Sequence, residues 1–219
     1  MCRHSIDLHP ITVKNLIRLS PDSYLLSFER NFEFSAGQVL GIALKADDEP
    51  RLYSIASGEK DNDVEILFNV KPGGELTPKL SELKTGDTIF VTLPFGSFHD
   101  SDKPAFFIAT GTGIAPFRSM IRSGVKHEIT LVHGSRIPEN FYFDGELIAA
   151  NINYVKCLSK GESTGVFKGR VTDYLKSIEI LPAEHNYHIC GNAEMVLECR
   201  DFLLEKNIPF GNIIAEIYF

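Results

Sequence analysis

The spacing of apolar residues changes once along this chain, near residue 100, and that change restricts the fold to very few possibilities. Before it, apolar and polar residues alternate in short runs. Val64, Ile66, Phe68 and Val70 interleave with Glu65, Leu67 and Asn69, the period of two that gives a strand one buried face. Strands are expected at Ile11–Ile17, Ser23–Arg30, Gln38–Leu44, Arg51–Ala56, Val64–Val70 and Thr88–Leu93. Turn-forming residues separate them: Ser20-Pro21-Asp22, Ala36-Gly37, Asp61-Asn62-Asp63 and Gly86-Asp87. Short strands punctuated in this way predict an antiparallel β-barrel or sandwich, interrupted by a short helix over Leu76–Leu83.

After Lys103 the apolar runs become continuous, at Ala105–Ala109, Ile129–His133, Ile152–Leu158, Tyr187–Cys190 and Ile213–Phe219. Helical patterns lie between them, at Pro116–Arg122, Phe141–Ala150, Val171–Ile178 and Ala193–Lys206. In the last, Met195, Val196, Cys199, Phe202 and Leu203 share one face. Strands buried on both faces and alternating with helices form a parallel sheet. The polar stretch HDSDKP then marks the boundary, giving a two-domain chain: an antiparallel β-barrel over residues 1–100, followed by an α/β parallel-sheet domain over residues 101–219.

Charge and composition narrow the function. A net charge of −7 argues against general nucleic-acid binding, which needs a basic footprint. No apolar run approaches the roughly 18 residues that span a membrane. The opening MCRHSIDLHP lacks the apolar core of a signal peptide, so a cytoplasmic protein is expected. Cys2, Cys157, Cys190 and Cys199 are scattered, without the spacing of an iron–sulfur or zinc site; reduced thiols and no metal are expected.

Two glycine-bearing loops carry the chemistry. In ATGTGIAP, Ala109 to Pro116, a buried strand runs into a helix; Gly111 and Gly113 let backbone N–H groups approach an anion, and Pro116 suits a first helical turn. A tight βα turn alone also needs glycine, so this loop is a weak signal by itself. The next strand ends in LVHGSR. A dinucleotide site for NAD places an acidic residue here; Ser135 and Arg136 suit a 2′-phosphate instead, with Arg170 at the next helix start as a third candidate. Arg136 as a plain solvated cation is the competing reading. In the first half, KPGGELTPKL offers Gly73 and Gly74 before Leu76 and Thr77, a second anion-binding geometry. Upstream, RLYS offers a charge for a phosphate (Arg51), a ring for a ring (Tyr53) and a hydroxyl for a ring nitrogen (Ser54). One ligand suits all of these, a flavin nucleotide with a diphosphate.

In that order, R-x-Y-S, G-G-x-L-T, G-T-G-x-A-P and C-G-N-x-x-M resemble the ferredoxin–NADP reductases and related flavoenzymes. The ending AEIYF is similar to that of the compact bacterial subclass of ferredoxin/flavodoxin–NADP reductases. The resemblance implies FAD in the first domain and NADP(H) in the second, hydride passing from nicotinamide to flavin, and ferredoxin or flavodoxin as the partner of a monomer. It implies that Arg51 holds the flavin phosphate, Tyr53 stacks on the isoalloxazine and Ser54 faces its N5. Gly74, Leu76 and Thr77 match the diphosphate turn, with Leu52, Asn69, Val70 and Tyr218 as further cofactor-binding positions. Thr112 and Gly113 match the nicotinamide nucleotide loop, Cys190 the cysteine beside the nicotinamide, Glu216 the carboxylate near the reacting centres, and Phe219 the aromatic on the flavin adenine. Two departures stand out: Lys160 where the subclass tends to have arginine, and Phe219 where tryptophan is common.

Blander readings compete for several of these residues. Cys190 and Cys199 read equally as core thiols, His185 and His188 as structural, and Glu216 as a routine charge on a terminal strand. Two other functions fit the same motifs. One is an NAD(P)H:flavin oxidoreductase that treats flavin as substrate, against which the GGELT turn argues. The other is an electron-transfer subunit of a larger reductase complex; such subunits usually carry a C-terminal cysteine cluster.

Overall fold

The structure, a computed structural model, describes residues 7–218. The chain divides into two compact units, one up to His99 and one from Asp100 onward. In the first, strands β1 (His9–Ser20), β2 (Ser23–Glu29), β3 (Val39–Ala43), β4 (Arg51–Ser54), β5 (Asp63–Asn69) and β6 (Thr88–Val91) form one sheet in the order β4-β3-β6-β1-β2-β5. Among the described residues every pairing in this sheet is antiparallel. The long β1 serves two neighbours: His9–Thr12 pair with β6 and the stretch from Val13 with β2, with a register shift between Val13 and Asn15. Such an irregularity bends a strand and strengthens its twist, which lets the sheet curl. The curl returns β4 to β5, where Ile55 bridges Ile66 and the Ala56 N–H donates to the Glu65 carbonyl at 2.7 Å. Leu26, Phe28, Leu40, Ile42, Ile55, Ile66, Phe68, Leu80 and Ile89 fill the interior.

The second unit is a wholly parallel sheet of β7 (Ala105–Thr110), β8 (Ile129–Ser135), β9 (Asn153–Leu158), β10 (Phe167–Lys168), β11 (Asn186–Asn192) and β12 (Ile213–Tyr218), in the order β10-β9-β8-β7-β11-β12. From β7 the chain steps outward through β8, β9 and β10, then returns to the other side of β7 for β11 and β12. Strand order therefore reverses beside β7, and the carboxyl ends of β7 and β11 flank the crevice where open α/β sheets bind ligands.

The helices are α1 (Thr77–Leu80) in the first unit and α2 (Ala115–Ser123), α3 (Asp144–Ala149), α4 (Val171–Ser177) and α5 (Ala193–Glu205) in the second. Two, α1 and α3, are shorter by four residues than their sequence patterns predict. Over Leu76–Leu83 only Thr77–Leu80 is helical, because Leu80 is its one buried residue and so short a helix is held only by packing. Over Phe141–Ala150 the helix starts at Asp144: Phe143 adopts a left-handed conformation (φ 63°), and Phe141 is pinned edge-on to His133. The two-residue β10 is absent from the sequence reading, since two residues carry no periodicity. Among the described residues no helix is long and apolar enough to cross a membrane.

Candidate functional site

In the first unit, β4 carries the RLYS stretch at the edge of the sheet. Its register pairs Arg51 with Ile42, Leu52 with Gly41, Tyr53 with Leu40 and Ser54 with Val39. Arg51 and Tyr53 therefore share the face of the buried Leu40 and Ile42, and Leu52 and Ser54 take the other. Tyr53 is half-buried edge-on to Phe68, with ring centroids 6.4 Å apart. Burial pushes its hydroxyl up to about 12, against the opposing charge of Arg51. Ser54 is only 2% exposed while Leu52 is 58% exposed. The Ile55 N–H donates to the Gln38 carbonyl, so by alternation the main-chain groups of Leu52 and Ser54 turn away from β3, to the side on which the Ala56 N–H meets Glu65 of β5.

The closure onto β5 places Tyr53 beside Phe68, and Phe68 leads through Asn69 and Val70 into the KPGGELT turn. There the Gly74 N–H donates to the Lys71 carbonyl at 2.8 Å and the Lys71 N–H to Thr77 Oγ1 at 2.9 Å. Among the described residues, no acceptor in the chain takes the N–H groups of Glu75, Leu76 or Thr77. These three donors fit a diphosphate. The sequence reading expects an anion site at a helix start; the four-residue α1 is too short to contribute much dipole, so what the turn offers an anion is its local N–H groups.

In the second unit, Gly111–Ile114 form a 3₁₀ turn that runs directly into α2, with Pro116 in the first helical turn. The two glycines of this loop serve different ends. Gly111 has φ 57° with open space around it. Gly113 is buried, and a Cβ there would stand 2.2 Å from the Cys190 carbonyl oxygen. The loop is thus pressed against the end of β11, and both lie at the switch point. In the CGNAEM stretch Asn192 Oδ1 accepts from the Met195 N–H at 3.0 Å, capping α5, so part of that motif builds the fold.

The candidates for an adenosine 2′-phosphate fare unequally. Ser135 Oγ donates to the Ile137 carbonyl at 2.7 Å, so its single proton is already engaged. Arg170 is held by Glu198, both of whose carboxylate oxygens accept from the one nitrogen Nη2, at 2.6 and 2.7 Å. Arg136 is exposed with no ion pair to the described residues. Lys160 stands similarly clear on the adjacent strand end, where the Ser159 N–H donates to the Ser135 carbonyl at 3.0 Å. The cationic groups available at the end of β8 are therefore Arg136 and Lys160.

Cys190 and Glu216 sit side by side in the β11–β12 register. Cys190 is fully buried; burial first, then the Glu216 charge, push its thiol well above the ordinary range, against a hydrogen bond with Tyr218. It stays a neutral thiol, unable to act as nucleophile or base near pH 7. Glu216 is half-buried, and its Oε2 is sealed from solvent. Tyr218 is half-buried two residues on. Phe219 lies outside the described residues.

One polar cluster has no counterpart in the sequence reading. His133 is fully buried on β8, its Nδ1 3.0 Å from the Tyr154 hydroxyl. Lys156 Nζ bonds Asp144 at 3.2 Å. Burial, aided by the Lys156 charge, pushes the imidazole down to about 3. A histidine inside the apolar run ITLVHGS was the one available signal.

A glycine turn with three unmatched N–H donors on an antiparallel barrel and a glycine loop at the switch point of a parallel sheet define a class, the oxidoreductases that join a flavin-binding to a nicotinamide-binding domain. The oxidoreductase FAD-binding domain matches residues 10–99, and the oxidoreductase NAD-binding domain residues 107–201. A ferredoxin–NADP reductase of Pseudomonas aeruginosa is 32% identical over 75% of this chain and 76% of its own length. The chain belongs to the ferredoxin–NADP reductase family. The toluate 1,2-dioxygenase electron transfer component of Pseudomonas putida is 26% identical over 99% of this chain and 69% of its own. The chain spans about two thirds of the length of the dioxygenase reductase components it matches. The crystal structure of a ferredoxin NADP+ reductase from Neisseria gonorrhoeae with bound FAD and NADP has the same fold, with a TM-score of 0.87 and 23% identity over 97% of this chain and 99% of that one.

Proposed function

We propose that this chain takes hydride from NADPH onto a bound FAD and passes electrons singly to ferredoxin or flavodoxin, with the FAD-binding domain at residues 1–100 and the NADP-binding domain at 101–219. The observation that carries this is the pairing, in one chain, of three unmatched N–H donors at Glu75–Thr77 with a glycine loop at the switch point of a second unit. Bound FAD supplies the redox chemistry, accepting two electrons together and releasing them one at a time.

The chain's own residues bind and orient. Arg51 and the Glu75, Leu76 and Thr77 N–H groups hold the diphosphate, and Asn69 and Val70 line the approach to it. Tyr53 would offer its ring and Ser54 its hydroxyl to the flavin ring system. Thr112 and Gly113 hold the nicotinamide nucleotide, and Arg136 with Lys160 holds the 2′-phosphate. Cys190 acts as a compact wall rather than an acid or base. Glu216 orients the nicotinamide or holds a proton, with Tyr218 beside it. Phe219 packs on the adenine, as the family resemblance implies. Cytoplasmic location and a monomeric state belong to the same proposal, and gel filtration tests the second.

The purified chain is expected to be yellow, to hold about one FAD, and to reduce dyes and then ferredoxin or flavodoxin with NADPH in preference to NADH. Colourless protein that needs added flavin would support the flavin-as-substrate reading instead. The match to the toluate dioxygenase component over 99% of this chain favours one second reading, service to an oxygenase. Electron delivery only in the presence of an oxygenase component would establish it.

A further inference from the structure

The Arg170–Glu198 pair points to a residue that sets selectivity. We propose that Glu198 holds Arg170 away from the adenosine 2′-phosphate and so limits the preference for phosphorylated over unphosphorylated nucleotide. This rests on the reading of the β8 end as the 2′-phosphate site. Arg170 stands close to that end. The next residue, Val171, packs on β8 so tightly that a Cβ on Gly134 would be 2.6 Å from Val171 Cγ1, and Gly134 precedes Ser135. The Gly169 N–H donates to the Leu158 carbonyl at 3.0 Å, and Leu158 pairs with Ser135. Yet the guanidinium turns to α5, where both Glu198 oxygens take it at 2.6 and 2.7 Å. Lys176 Nζ lies 3.7 Å from the same carboxylate, so Glu198 sits between two cations. The guanidinium fork matches carboxylate and phosphate equally well. A carboxylate and a phosphate therefore compete for one side chain, and the carboxylate is built into the fold.

The test is calorimetric titration of the full chain with 2′-phospho-AMP and with AMP, which needs no turnover. Glu198→Gln should tighten 2′-phospho-AMP by about five-fold, the scale of one partly exposed ion pair, and leave AMP unchanged. Adding Arg170→Ala to Glu198→Gln should abolish that gain. Glu198→Asp, whose shorter side chain draws the carboxylate back from Nη2, should act in the same direction and serves if the glutamine variant melts early. Unchanged affinity in the Glu198 variants overturns the proposal. So does a gain that survives Arg170→Ala, since that would be a general field effect. Arg136→Gln tests the underlying site separately. If it leaves the preference for 2′-phospho-AMP intact, the site itself is misplaced; if it removes the preference while the Glu198 variants do nothing, the site stands and Glu198 has no part in it.

Discussion

Replacing Gly113 with alanine separates the steric from the conformational demand of the glycine loop. The new Cβ would lie 2.2 Å from the Cys190 carbonyl oxygen, 2.6 Å from the carbonyl carbon and 2.9 Å from Gly191 Cα. All three are backbone atoms, so no side chain can swing aside. Relief requires the loop and β11 to part by about 1 Å where β7 and β11 pair through Ala109 and Cys190. Overpacking typically costs about 1–3 kcal/mol, and a backbone-on-backbone clash belongs at the upper end. About 3 kcal/mol lowers Tm by roughly 10 °C in a unit of this size. Gly111→Ala meets open space and suffers only its φ of 57°, a strain of about 1 kcal/mol. Hydrogen exchange by mass spectrometry over Ala105–Thr110 and Asn186–Asn192 reads the second unit by itself. Gly113→Ala should speed exchange there by about two powers of ten relative to wild type, and Gly111→Ala by about one or less. Equal effects, or an unperturbed β11 in Gly113→Ala, would refute the steric argument.

Three further outcomes are expected. Ser54→Ala should slow flavin reduction by NADPH in single-turnover kinetics while FAD remains bound; an unchanged rate removes Ser54 from the reacting centre. Arg136→Gln should raise KM for NADPH about ten-fold or more, the loss of one charge-assisted hydrogen bond, with little change for NADH; a parallel rise for both would place Arg136 elsewhere. His133, pushed down to about 3, is neutral when folded and titrates near 6.5 when unfolded. Its stabilising contribution is complete above about pH 6.5 and declines as pH falls toward 3, by at most about 1.4 kcal/mol per pH unit. Denaturant titrations between pH 7 and 4 should therefore show a shallower slope for His133→Phe than for wild type, and identical slopes would mean that His133 is protonated or exposed in the folded chain.

The division into two kinds of structure was legible because periodicity is local. Alternation along Val64–Val70 and continuous runs such as Ala105–Ala109 depend only on which face of each strand is buried. The glycine loops were legible for the same reason, as turn chemistry acts over a few residues. Helix lengths were less so: Phe141 and Phe143 fit a helical pattern, but packing of Phe141 on His133 and the left-handed Phe143 delay the helix to Asp144.

By itself the sequence determined the alternation of elements, the two glycine-bearing turns and the order of motifs that identifies the family. Tertiary structure decided how those residues are used. It closed the barrel through Ile55 and Ile66, buried Ser54 while leaving Leu52 exposed, and buried the Cys190 thiol. It also engaged the Ser135 proton with Ile137 and gave Arg170 to Glu198, leaving Arg136 and Lys160 available. The reason is range. A side chain's partner is whatever the topology brings within hydrogen-bond distance, and no spacing in the sequence announces that residue 170 will meet residue 198.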